Sequence, residues 1–135
     1  MSTNAQLFIH ENNQLKGIYI HWDGDTAAKE ITSIAKTSFN SNLKETLNHI
    51  FQHPQWSSII ADPKRVASMA GGHISHDPKI GNYYNDADPG DYTYFKNTET
   101  AIKNGLEYVI IVDKNYTTLE IYTTFNKKLV DTISV

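Results

Sequence analysis

The sequence predicts a single α+β domain, with an antiparallel sheet from its N- and C-terminal strands and two to three helices packed on one face. Three observations lead there. Short apolar alternations near both ends have the period of half-buried strands, and the stretch after Thr26 carries apolar residues at helical spacing. Turn-forming residues punctuate the whole sequence, and its 135 residues suffice for one core without disulfide or metal staples.

The elements follow in order. Leu7 and Ile9 mark a first strand, Glu11-Asn12-Asn13-Gln14 supplies turn chemistry, and the chain returns through Leu15 to Trp22 as a hairpin. Ile18, Ile20 and Trp22 alternate with Tyr19 and His21, which places Trp22 on the buried side. Asp23-Gly24 breaks the strand, with Gly24 expected at positive φ, and Asp25 stands where an N-cap belongs. From Thr26 to Phe39 the residues Ala28, Ile31, Ala35 and Phe39, joined by Ala27 and Ile34, give one buried helical face. A second helix runs from Leu43 to about Gln52, with Leu47, Ile50 and Phe51 inward and Asn42 and Glu45 as a capping pair. Residues 55–61 fit either a short helix or an irregular connection. Asp62-Pro63 opens a further short helix that Gly71 stops. Residues 72–91 are dense in glycine, proline, asparagine and aspartate, and predict a long polar loop of the kind that carries function. Tyr92, Tyr94 and Phe95 then suggest a strand, and Thr98 to Asn104 a helix ended by Gly105. Tyr108–Val112 and Thr118–Thr123 form a hairpin, and the stretch after Leu129 adds an edge strand that would be able to pair across a homodimer axis.

Composition narrows the function classes. A hydrophobic fraction of 39% with a net charge of −3 belongs to a globular chain, not a disordered one. Lys16, Lys29, Lys36, Lys44, Lys64 and Arg65 are dispersed among acids, which argues against direct nucleic-acid binding. The absence of cysteine removes thiolate catalysis, disulfides and thiolate metal sites. No apolar run approaches a membrane span and no secretory pattern opens the chain, so the cytoplasm is the expected location.

Three segments carry a resemblance. Tyr19-Ile20-His21-Trp22-Asp23-Gly24-Asp25 resembles the His-Trp-Asp-Gly-Tyr strand and turn of a group of small, uncharacterised phage and mobile-element proteins, with Asp25 where the group has tyrosine. The stretch from Asp62 to Ser75 looks like the group's helix and Gly-Asp-Leu-Ser turn, with His73 in the place of the acid. Tyr94-Phe95, Ala101-Ile102 and Leu106 to Asp113 are similar to its terminal helix and hairpin, while residues 40–61 look like an insertion. The resemblance implies a viral or mobile-element origin and an architecture, not a reaction; by analogy with accessory phage proteins, the expected protein acts on host machinery by binding it, defence systems of the CRISPR type included.

Several constellations invite chemistry. Of six histidines, His49 and His53 stand at the i, i+4 spacing that lets two imidazoles share a metal, although a solvated helix face is the commoner origin of such a pair. His73, His76 and Asp77 supply two imidazoles and a carboxylate, a weak candidate metal site and the minimal acid/base set of a hydrolase. His21 beside Asp23 and Asp25 would serve as a base near a cation, but reads more simply as a corner: Trp22 buried, His21 hydrogen-bonded, the acids capping a helix. Asp86, Asp88 and Asp91 supply spaced oxygens in the manner of a calcium loop, but Pro89 and Gly90 break the register and no closing glutamate follows. Together with Tyr83, Tyr84 and Tyr92 they make an acidic, tyrosine-rich surface suited to a basic partner, and its carboxylates would imitate phosphates in a nucleic-acid-binding groove. The function expected is therefore a non-enzymatic binding protein without cofactor that inhibits a host factor, such as a defence nuclease complex. A metal-assisted hydrolase built on the histidine pairs is one alternative, and a sponge for a nucleotide signal is another.

Overall fold

Asn12 and Asn13, both left-handed at φ 53° and 63°, turn β1 (Ala5–Glu11) into β2 (Gln14–Ile20), the geometry that favours asparagine in a two-residue hairpin loop. A computed structural model describes residues 3–62, 64 and 71–135 of the chain. The helix expected after Asp62-Pro63 lies outside the described residues. Beyond β2 come α1 (Ala27–Ser38), α2 (Leu43–Ile50), β3 (Gln55–Ile59), β4 (Ile74–Asp77) and β5 (Gly81–Tyr84). A 3-10 turn (Pro89–Asp91), β6 (Thr93–Phe95), α3 (Thr98–Asn104), β7 (Tyr108–Val112), β8 (Thr118–Thr123) and β9 (Lys128–Ser134) complete the order.

The described strands form one nine-stranded sheet in the order β4-β5-β3-β2-β1-β7-β8-β9, with β6 also paired to β2. The α+β class holds, in a larger sheet than the sequence suggests. It is also not purely antiparallel, because β1 pairs parallel with β7 and β2 parallel with β3. On one face Leu7, Ile18, Ile20, Ile110 and Leu119 pack beneath Ile31 and Ile34 of α1 and Leu47 and Ile50 of α2. A second cluster joins Phe8, Leu15, Val109 and Ile111 to Ala101, so α3 belongs to the opposite face. Local capping explains where α2 and α3 begin: Asn42 Oδ1 accepts from Glu45 N at 3.0 Å, and Asn97 Oδ1 from Thr100 N at 2.9 Å.

Three expectations fail at the end of β2. Trp22 is 40% exposed, not buried, because the consecutive amides of His21 and Trp22 both donate to β3, to Trp56 O and Ser57 O at 2.9 Å each. Two successive donors to one neighbour end the alternation on which the burial of Trp22 rested. The left-handed residue is Asp23 at φ 56°, not Gly24, and Gly24 is needed instead for close approach, since a Cβ there would stand 2.7 Å from Ala5 Cβ. Asp25 is not the N-cap; Thr26 is, without a side-chain cap bond, because the turn closes from Thr26 N to Asp23 O at 3.1 Å and leaves Asp25 within it.

The expected loop over 72–91 is largely a hairpin. β4 and β5 pair antiparallel, with Ile74 opposite Tyr84 and Asp77 opposite Gly81, and β5 continues the sheet on β3. The undecided residues 55–61 hold β3, whose Trp56, Ser57, Ser58 and Ile59 are all buried, so burial erases the polar alternation that would have marked a strand. At the other end β9 is an exposed edge, interrupted by a bulge opposite Ile121 and Tyr122 and carrying Lys128 and Asp131. Both devices hinder further strand pairing. No described helix is long and apolar enough to cross a membrane.

Candidate functional site

β5 ends in two tyrosines that, as neighbours in a strand, point to opposite faces. Tyr83 faces α2: His53 stacks on it with ring centroids 3.6 Å apart and planes at 10°, and Trp56 meets it edge-on at 5.6 Å. Tyr84 faces the other way. Its hydroxyl lies 2.8 Å from His21 Nδ1, His73 stacks over its ring at 5.9 Å, and His21 in turn stacks on Trp22 at 4.6 Å. The hydrogen bond expected of His21 is present, with a partner that lies far away in the sequence. Both tyrosines are partly buried and held by aromatic neighbours.

Tyr92 is also an anchor. Its hydroxyl donates to Phe51 O, its ring packs against the helix-bearing core, and Lys16 Nζ sits 4.3 Å above the ring centroid. Burial pushes its phenol above the usual value, with the Tyr94 and Glu11 charges acting in the same direction. Tyr83, Tyr84 and Tyr92 thus frame the site more than they offer free rings. The aromatic residue that does project is Tyr94, at 49% exposure.

The three aspartates behave differently from one another. Asp88 Oδ1 accepts from Gly90 N at 2.7 Å, and Asp91 Oδ2 accepts from Asp88 N at 2.9 Å, a reciprocal cap that closes the turn on itself. Asp86 is exposed just ahead of it. Among the described residues the one ion pair is Lys16 with Glu11 at 3.7 Å, so no described cation neutralises these carboxylates. The arrangement is an ordered, uncompensated acidic turn beside an exposed tyrosine.

The histidine pairs separate in part. His49, His53 and His76 share an open groove of about 310 Å³ with Asp77, Lys79 and Tyr83, whereas His73 goes to Tyr84 instead. Asp77 Oδ1 accepts from Lys79 N at 2.9 Å in the turn between β4 and β5, and the His49 ring packs on Phe39 at 4.8 Å. Burial lowers the pKa of His53 and the Asp77 charge works against that. Among the described residues no group of three or more His, Asp or Glu side chains is placed to hold a metal ion. The sequence had no local signal for the partnership of His53 with Tyr83, because it depends on α2 meeting β5 across a long separation. No protein family, curated protein or solved structure matches this chain.

Proposed function

We propose that the chain is a non-enzymatic binding protein that docks on a basic, nucleic-acid-binding partner through Asp86, Asp88, Asp91 and the neighbouring Tyr94. The observation that carries this reading is the reciprocal cap between Asp88 and Asp91, which orders an acidic turn before any partner arrives. Carboxylates held in place and left without a described cation attract a basic groove at long range, and an exposed tyrosine adds contact area at low entropic cost. The likeness of residues 19–25 to phage and mobile-element proteins makes a host factor the partner class, with a defence nuclease complex as the leading case.

The test uses Asp86→Asn, Asp88→Asn and Asp91→Asn together. Asparagine keeps a side-chain acceptor for the cap while the charge disappears. Proteins captured from host lysate on the immobilised chain should be displaced by added DNA, and the triple variant should bind its partner about tenfold more weakly at low salt. Unchanged affinity in a variant that melts like the parent would show that this turn is not the docking surface.

A further inference from the structure

A cavity lies at the end of the sheet where three connections meet: the β1–β2 turn, the entry to α3 and the β7–β8 turn. It has a volume of about 460 Å³ and is lined by His10, Asn12, Asn13, Lys96 and Lys114 over the floor residue Leu15. That volume falls within the roughly 300–1,000 Å³ of small-molecule sites. Basic residues that are scattered along the sequence are gathered here by the topology. The acid in the wall, Glu11, is turned to Lys16 at 3.7 Å, and neither Lys96 nor Lys114 has a carboxylate within ion-pairing distance among the described residues. Burial lowers the pKa of His10, and the Lys114 charge acts in the same direction against a smaller opposing effect of Asp113. Asparagine side chains add neutral donors and acceptors of the kind that hold hydroxyl groups.

We infer that this cavity binds the phosphate group of a small phosphorylated molecule, with Lys96 and Lys114 contacting the anion and Asn12 and Asn13 contacting its polar body. A lysine ammonium is a compact point charge well suited to phosphate oxygens. The concave shape between three turns favours a small ligand over the backbone of an extended polymer.

Titrating the full chain with pyrophosphate and with ribose 5-phosphate, followed by NMR at constant ionic strength, tests the inference. Saturable shifts should be confined to residues 10–15, 96–98 and 114, and K96Q/K114Q should weaken binding roughly tenfold or more. Both lysines are exposed, so the variant should retain the fold, and an unchanged melting temperature checks it. K127Q/K128Q, at the β8–β9 connection and outside the cavity lining, should bind like the parent. Shifts that fail to saturate, an undiminished affinity in K96Q/K114Q, or an equal loss in K127Q/K128Q would each overturn the assignment.

Discussion

His53 lies face to face on Tyr83, with centroids 3.6 Å apart, and so fastens the exit of α2 to the strand β5 that the chain reaches much later. The stack partly buries the imidazole, and that burial holds its pKa below the ordinary 6.5, with Asp77 opposing. The unfolded chain therefore binds this proton more tightly than the folded one.

A pH dependence follows from that difference. The contribution of His53 is fully present above about pH 6.5 and is lost as pH falls through the folded-state value. Melting temperatures taken at about pH 8 and about pH 5 should decline toward acid, and His53→Phe, which keeps the stack without the proton, should flatten the decline. An identical slope in the variant would remove His53 from the explanation.

Trp56 is the largest side chain in the core with no exposure, and its Nε1 donates to Ile50 O at 2.9 Å and to His53 O at 3.1 Å. Trp56→Ala should cost about 3–5 kcal/mol in urea unfolding, since it empties a volume and removes a donor from the carbonyls of Ile50 and His53. Trp56→Phe should cost less, because most of the buried ring remains.

Gly17 faces Phe8 across the first hairpin, and a Cβ at that position would stand 2.6 Å from Phe8 Cδ1. Phe8 is fully buried and cannot yield. Gly17→Ala should therefore destabilise by about 1–3 kcal/mol, and Phe8→Leu in the same chain should recover part of the loss in a double-mutant cycle.

The edge strand β9 carries Leu129 and Val130 at 48% and 52% exposure, beside Lys128 and Asp131. Charge on an edge disfavours pairing with another strand. Replacing Lys128 and Asp131 by threonine should raise self-association in sedimentation velocity, and this edge is where the homodimer expected from the sequence would pair. No rise in the mass of the sedimenting species would place the block in the bulge instead.

How much of this was legible depends on how far apart the interacting residues lie. Asn12-Asn13, Asn42 with Glu45, Asn97 ahead of α3 and Gly105 after it, and the Asp113 to Tyr116 turn all act within a few residues, and the elements they delimit were readable from local pattern. The β4–β5 hairpin was not, because its strands are short and rich in turn-forming types, and they become strands by adding to β3. Of the residues expected at the partner surface, Asp86, Asp88 and Asp91 are exposed, while Tyr83, Tyr84 and Tyr92 are drawn into packing that no local signal announces.

The sequence by itself determined the α+β class, the presence of α1, α2 and α3 with the Asn42 cap, and the two terminal hairpins, since propensity and turn chemistry operate on neighbouring residues. Only the tertiary structure decided that β3 would dock parallel on β2, ending the alternation at His21 and exposing Trp22. It alone brought His53 to Tyr83, and His10, Lys96 and Lys114 to one cavity. The physical reason is that periodicity records which face of an element is buried, whereas the identity of the neighbour that buries it is set by chain closure over long separations.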